Sequence, residues 1–148
     1  MNNTTVIATF FGAALCLLAM RSHLIVQQPE ELALVEIKLE QEFPKINHED
    51  PHLIAAMIEN NDASTVLIDV READEFAVSR IPGAIRISPD AQPENMLSLI
   101  GNLTGKTLVF YCSVGYRSSK LATNAQSILK AQGAREIINL RGGIFAWH

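Results

Sequence analysis

One cysteine in the C-terminal half of the chain stands where a nucleophile is expected. Cys112 directly follows the buried, apolar run Thr107–Tyr111 and precedes a helical pattern, so the order is strand, tight loop, helix. Loop N–H groups and a helix N-terminus bind anions, and Arg117 adds a positive charge. These features favour the thiolate, the reactive form of cysteine, and Gly115 permits the tight turn that such a loop needs. The pattern predicts a nucleophilic cysteine in an anion-binding loop.

A plainer interpretation of the same residues has to be weighed. A lone cysteine after an apolar strand is usually a small core residue, and Cys112 by itself fits that description. Only four residues separate it from Arg117, however, and charged surroundings of this kind are typical of functional sites. A second charged pair, Asp69 and Arg71, lies at the end of another buried run, Thr65–Val70. We expect these two side chains to form an ion pair that orders the loops and supports the site.

The elements that must position these residues follow from the hydrophobic pattern after Ile46. Short runs rich in β-branched residues predict buried strands, and amphipathic stretches between them predict helices. This alternation implies an α/β fold with a mainly parallel central sheet and helices on both faces. The predicted strands are Thr65–Val70, Ala84–Ile87, Thr107–Tyr111 and Glu136–Leu140; the predicted helices are Pro51–Ile58, Glu72–Ser79, Pro93–Ile100 and Ser118–Ala131, with turns at Pro82–Gly83 and Gly142–Gly143.

The residues before this domain carry a different pattern. Val6–Met20 is fifteen residues long without a charge, and two threonines before it extend the segment to the lower limit for a membrane span of about 17 residues. No Lys or Arg precedes it, although a signal peptide normally has a positive start. We therefore predict an N-terminal transmembrane helix within residues 1–28, making this a single-pass membrane protein. Arg21 places the following domain in the cytoplasm by the positive-inside rule, and export after signal cleavage is the alternative.

Residues 29–45 predict a helical stalk between this anchor and the domain at residues 46–148. Apolar side chains recur at Leu32, Val35, Leu39 and Phe43, which is one face of a helix that ends before Pro44. The stripe is too short to predict a coiled coil. We expect the stalk to pack on the domain.

Composition excludes several classes of function. The chain has 148 residues, enough for one domain plus an appendage. Its net charge is −4, and its basic residues are scattered, so no nucleic-acid partner is expected. The two cysteines are far apart and the four histidines are dispersed, so neither a disulfide nor a metal site is predicted.

Residues 46–148 resemble the rhodanese domain, in the form found in single-domain sulfurtransferases. The chain departs from the family pattern at Arg80, where relatives often have histidine. It also stops one residue after Trp147, so we expect either a short closing helix or a fragment. Four stretches carry the likeness in the family's order: Leu67–Glu72 with Glu75 and Phe76, Ile81–Ala84, Tyr111–Ser118, and Leu140–Trp147.

The resemblance implies a covalent mechanism without a metal or organic cofactor. The Cys112 thiolate would take the outer sulfur of a small sulfur-containing anion such as thiosulfate, or of a persulfide donor. A thiol or cyanide acceptor would then remove that sulfur. The resemblance also implies a substrate-binding loop made of Ser113, Val114, Gly115, Tyr116, Arg117 and Ser118, with Asp69 and Arg71 in support.

Two other functions stay open. Related phosphatases and arsenate reductases have five residues between their cysteine and arginine, and the four found here form a smaller ring that favours sulfur. A membrane-tethered binding or regulatory module with a protein partner is the other alternative. Among neighbouring residues, Glu72 and Glu75 are assigned to the short helix, and Tyr116 either lines the mouth of the site or is simply exposed.

Overall fold

The computed structural model describes residues 30–60 and 63–147. The chain forms two units, Met1–Leu34 and Val35–His148. In the first unit the described residues, 30–34, are helical. The predicted anchor at residues 1–28 lies outside the described residues, and among those that are described no helix is long and apolar enough to cross a membrane.

The second unit is built on five parallel strands: β1 Asn47–Glu49, β2 Thr65–Asp69, β3 Ile85–Arg86, β4 Thr107–Tyr111 and β5 Glu136–Leu140. Their order in the sheet is β1-β5-β4-β2-β3. Strands β4 and β5 pair over almost their whole lengths, from Thr107 opposite Glu136 to Phe110 opposite Asn139. Every residue of β4 is buried, which explains its unbroken apolar sequence.

Helices cover both faces of this sheet, as the alternating pattern predicts. Leu108 and Phe110 point into one core cluster, which also contains Leu121, whereas Val109 and Tyr111 point into the other. Burial of each such side chain contributes about 1.5–3 kcal/mol, so the two faces together stabilise the sheet. The helices are α1 at residues 30–42, α2 Pro51–Glu59, α3 Ala73–Val78, α4 Pro93–Ile100, α5 Tyr116–Ala131 and α6 Gly143–Trp147.

Helix α2 begins as its sequence predicts, because the Asp50 side chain accepts a hydrogen bond from the backbone N–H of His52. Three other elements differ from the sequence pattern. Strand β1 was not predicted, since its Asn-His-Glu sequence is polar and becomes a strand only by pairing with β5. Helix α5 begins at Tyr116, two residues before the predicted start. The turn predicted at Gly142–Gly143 leads straight into α6.

Candidate active site

The loop between β4 and α5 folds back onto the sulfur of Cys112. The backbone N–H of Gly115 donates to Cys112 Sγ at 3.2 Å, and the cysteine is only 1% exposed. Gly115 has a φ of +104°, which is easily adopted only by a residue without a Cβ, and it forms the N-cap of α5. The sequence therefore bends sharply after β4 and points a backbone donor at the thiol, where it would stabilise negative charge on sulfur.

Helix α6 holds this loop from the other side. The N–H groups of Ile144 and Phe145 donate to the carbonyl oxygens of Cys112 and Ser113, at 2.8 and 3.2 Å. Gly143 makes this approach possible, because a Cβ there would lie 2.5 Å from the Cys112 oxygen. These bonds direct the two carbonyls toward α6 and away from any anion held in the loop. Gly143 thus has a packing role that its sequence position alone did not reveal.

A carboxylate from α3 completes the site. Glu75 pairs with both terminal nitrogens of Arg117, with Nη1 to Oε2 at 2.6 Å and Nη2 to Oε1 at 2.8 Å. The Ser113 hydroxyl donates to Glu75 Oε1 at 2.9 Å and accepts from Arg117 Nη2 at 2.9 Å. The assignment of Glu75 to its helix alone was therefore incomplete. It does accept from the N–H of Glu72 in a capping box, but it also binds two loop residues.

The electrostatics of this group follow from the pairing. The Arg117 guanidinium is the main cause that lowers the pKa of Glu75 to about 2, although partial burial acts in the opposite direction. The same hydrogen bonds raise the pKa of Arg117, and its interaction with Cys112 raises it further. Arg117 thus lies between two groups that carry or acquire negative charge.

The expected ion pair of Asp69 and Arg71 is present and buried. Arg71 Nη2 lies 2.7 Å from Asp69 Oδ2, and Arg71 Nε donates to Asp69 Oδ1 at 3.0 Å. The hydrogen bond to Asp69 is the main cause that raises the pKa of Arg71. Arg71 Nη2 also donates to the carbonyl of Ser79 at the end of α3. The pair therefore fixes the ends of α3, the helix that carries Glu75, relative to β2.

Ser118 lies at the start of α5, where its hydroxyl donates to the carbonyl of Gly115 at 3.1 Å. Because α5 begins at Tyr116, Ser118 falls in the first turn on the side facing the sheet, and its hydroxyl lies 2.6 Å from Asn139 Oδ1. Ser119, also buried, donates to the carbonyl of Gly115 at 2.7 Å. The two hydroxyls cap the start of α5, and the bond to Asn139 holds Ser118 against β5; the predicted role of Ser118 in anion binding stays a prediction.

The stalk helix contributes to the wall of the site. A Cβ on Gly115 would lie 3.1 Å from Leu39 Cδ1, so α1 packs directly on the loop. The rings of Phe43 and Tyr116 meet edge to face, with centroids 5.7 Å apart. Tyr116 is 44% exposed, and Val114 is half-buried. Tyr116 therefore lies on the surface beside the loop and is partly covered by Phe43, the residue that follows α1.

The family model for the rhodanese-like domain matches residues 50–148 of this chain. The chain belongs to the rhodanese family. Sulfurtransferases are among its relatives: it is 34% identical over 82 residues to a sulfurtransferase of Allochromatium vinosum, covering 55% of this chain and 70% of that protein. It is 38% identical over 86 residues to the sulfurtransferase candidate YtwF of Bacillus subtilis, covering 58% of this chain and 76% of that protein.

One solved structure and two longer proteins are also similar to this chain. A rhodanese-like domain protein from Staphylococcus aureus superposes with a TM-score of 0.55 at 26% identity, covering 70% of this chain and 92% of that one. Two longer relatives are matched only in part. The chain spans 43% of slr1261 from Synechocystis and 26% of a tRNA uridine(34) hydroxylase from Buchnera aphidicola.

The rhodanese-like domain brings together most of the residues predicted for its site. Cys112, Ser113 and Gly115 lie in the loop, Arg117 follows in the first turn of α5, and Glu75 joins them from a different part of the chain. Glu75 lies four residues after Arg71. The sequence could have indicated its importance, because a capping box already favours an acid at that position. In residues 30–60 and 63–147, no three His, Cys, Asp or Glu side chains group as metal ligands.

Proposed function

We propose that this rhodanese-like domain is a sulfurtransferase that carries sulfane sulfur on Cys112, from thiosulfate or a persulfide to a thiophilic acceptor. The observation that supports it best is the hydrogen bond from the Gly115 N–H to Cys112 Sγ, beside Arg117. A thiolate and a persulfide both place negative charge at this position, and both gain from a backbone donor that already points at the sulfur.

The proposed reaction has two displacement steps at sulfur. The Cys112 thiolate attacks the outer sulfur of the donor, a new S–S bond forms, and the old S–S bond breaks with its electron pair leaving on the donor remnant. For thiosulfate that remnant is sulfite, and for a persulfide it is a thiolate. The acceptor thiolate or cyanide then attacks the outer sulfur of the Cys112 persulfide and restores the thiolate. Each step balances without an added oxidant or reductant.

Mass spectrometry of the full chain after exposure to a sulfane donor tests this proposal. We expect the mass of one sulfur atom to be added on Cys112, and to be lost when a thiol acceptor follows. Cys112→Ser should abolish the addition, whereas Cys16→Ser, at the chain's other cysteine, should leave it unchanged. The absence of added sulfur on Cys112 with both thiosulfate and a persulfide would contradict the proposal, and phosphatase turnover would favour the related anion chemistry.

A binding or regulatory module is the second candidate, and the burial of Cys112 favours it. At 1% exposure the sulfur is reached only if a donor enters the loop or the loop opens. A module of this kind would act by holding a partner protein, and its fold alone would suffice. Full function in cells of the Cys112→Ser variant would favour this candidate, whereas loss of function with normal protein levels would favour transfer.

We also propose, from the sequence alone, that residues 1–28 hold the domain at a membrane on its cytoplasmic side. The uncharged run Val6–Met20 and the single flanking Arg21 support this placement. Protease added outside intact cells should leave the domain undigested, with the chain in the membrane fraction. Digestion from outside would reverse the orientation, and a processed soluble chain would indicate export after signal cleavage.

A further inference from the structure

We propose that Glu75 sets the donor preference of the Cys112 loop, by neutralising Arg117 so that a dianion such as thiosulfate is disfavoured and a persulfide carrying at most one negative charge is preferred. This inference rests on the sulfur transfer proposed above. It names the class of donor that the site selects, and it assigns that selection to a residue outside the loop.

The geometry shows how completely Arg117 is engaged. Both of its terminal nitrogens lie within 2.8 Å of Glu75 oxygens, and one of them also donates to the hydroxyl of Ser113. The arginine and glutamate side chains are 31% and 33% exposed, so solvent screens the pair in part. An arginine bound in this bidentate manner has few donors left for an incoming anion.

At neighbouring strand ends, two of three arginines are likewise paired with carboxylates, and the third, Arg86, keeps its charge. Arg71 pairs with Asp69 at 2.7 Å, and Arg141 pairs with Glu40 at 2.8 Å. Arg86 Nη1 donates to a backbone carbonyl, that of Arg71.

Acidic residues near the site add no attraction for anions. Glu72 and Asp74 lie exposed on or beside α3. Once Cys112 ionises, the group formed by Cys112, Arg117 and Glu75 carries two negative charges and one positive. A free anion that approaches the sulfur therefore meets repulsion that the loop N–H groups offset only in part.

The charges in the first chemical step show why donors differ. When the Cys112 thiolate attacks thiosulfate, a group with one negative charge meets an anion with two. The products are sulfite and an anionic Cys112 persulfide. Attack on a protonated persulfide, RSSH, brings only the charge of the thiolate, and yields RS⁻ and a Cys112 persulfide. The extra repulsion falls on thiosulfate alone, so removing the Glu75 charge should help thiosulfate more than the persulfide.

Steady-state kinetics of the full chain with two donors tests this inference. The ratio of kcat/KM for thiosulfate to that for 2-hydroxyethyl persulfide, which has no charged group other than the persulfide itself, is measured in wild type, Glu75→Gln and Glu72→Gln. Glutamine keeps an oxygen acceptor while removing the charge, and we expect the ratio to rise roughly three- to tenfold in E75Q. Glu72→Gln removes a charge from the same helix end but keeps a side-chain acceptor for the capping box with Glu75, so its ratio should match wild type. An unchanged ratio in E75Q, or an equal rise in E72Q, would overturn the inference.

The salt dependence of the wild-type protein gives a second readout that does not depend on any variant folding. If the site repels thiosulfate, added salt screens that repulsion and raises kcat/KM for thiosulfate. A fall with added salt would show an uncompensated cation and would overturn the inference. Absence of transfer from both donors in wild type would instead refute the proposed function, so the two failures are distinguishable.

Discussion

Replacing Gly143 by alanine is expected to destabilise the domain and to disable the Cys112 loop at the same time. The new Cβ would lie 2.5 Å from the Cys112 oxygen and 2.6 Å from the Ser113 oxygen. Both are backbone atoms that cannot rotate away, so α6 or the loop must move. Overpacking of this kind costs about 1–3 kcal/mol. The φ of +59° adds about 1–2 kcal/mol for a residue with a Cβ.

The movement also weakens the hydrogen bonds that Ile144 and Phe145 donate to the loop, each contributing about 0.5–1.5 kcal/mol. We therefore expect a total loss of about 3 kcal/mol or more, a large part of the stability of a domain this size. Urea denaturation followed by circular dichroism measures the loss, and single-turnover labelling of Cys112 with a sulfane donor measures the activity of the protein that remains folded.

Gly105→Ala is the matched control for this prediction. Gly105 has a φ of +72°, but a Cβ there would meet nothing within 4 Å. It should therefore show the backbone cost without the clash, and its labelling rate should equal that of wild type. Equal stability losses in the two variants, together with unimpaired labelling in Gly143→Ala, would refute the reasoning that α6 positions the loop.

Three further predictions concern stability. Arg117 lowers the pKa of Glu75 from 4.5 to about 2, so the stabilisation that Glu75 provides is present above pH 4.5 and is lost as the pH falls toward 2. Urea denaturation across this pH range should therefore show a smaller loss of stability in acid for Glu75→Gln than for wild type. Equal losses in the two proteins would contradict this prediction. Leu39→Ala should lower the free energy of unfolding by about 2–3 kcal/mol, because Leu39 is only 4% exposed. The control Leu34→Ala changes an exposed leucine and should leave the free energy of unfolding almost unchanged. Asp69→Asn leaves Arg71 buried without its partner and should cost about 3–5 kcal/mol by thermal denaturation, and a loss under about 1 kcal/mol would show that the pair is dispensable.

Much of the fold could be predicted because its signals are local. The strands Thr107–Tyr111 and Glu136–Leu140 and the helix Pro93–Ile100 lie at the predicted residues, since each is an apolar or amphipathic run bounded by turn residues. Strand β1 could not be found this way. Its residues Asn47–Glu49 have no strand-like pattern, and they become a strand only because β5 offers a free edge.

The features of the site can be divided in the same way, into those set by the local sequence and those set by the tertiary structure. The sequence by itself determined that Cys112 follows a buried strand, that Gly115 turns the chain and that Arg117 stands five positions after the cysteine, because all three are set by neighbours in the chain. Only the tertiary structure decided what Arg117 binds. Glu75 is 42 positions away and reaches it because β2 and β4 are adjacent in the sheet and their following segments meet at one edge. The nucleophile is therefore a local property of the sequence, whereas the charge that surrounds it depends on strand order, which no local pattern encodes.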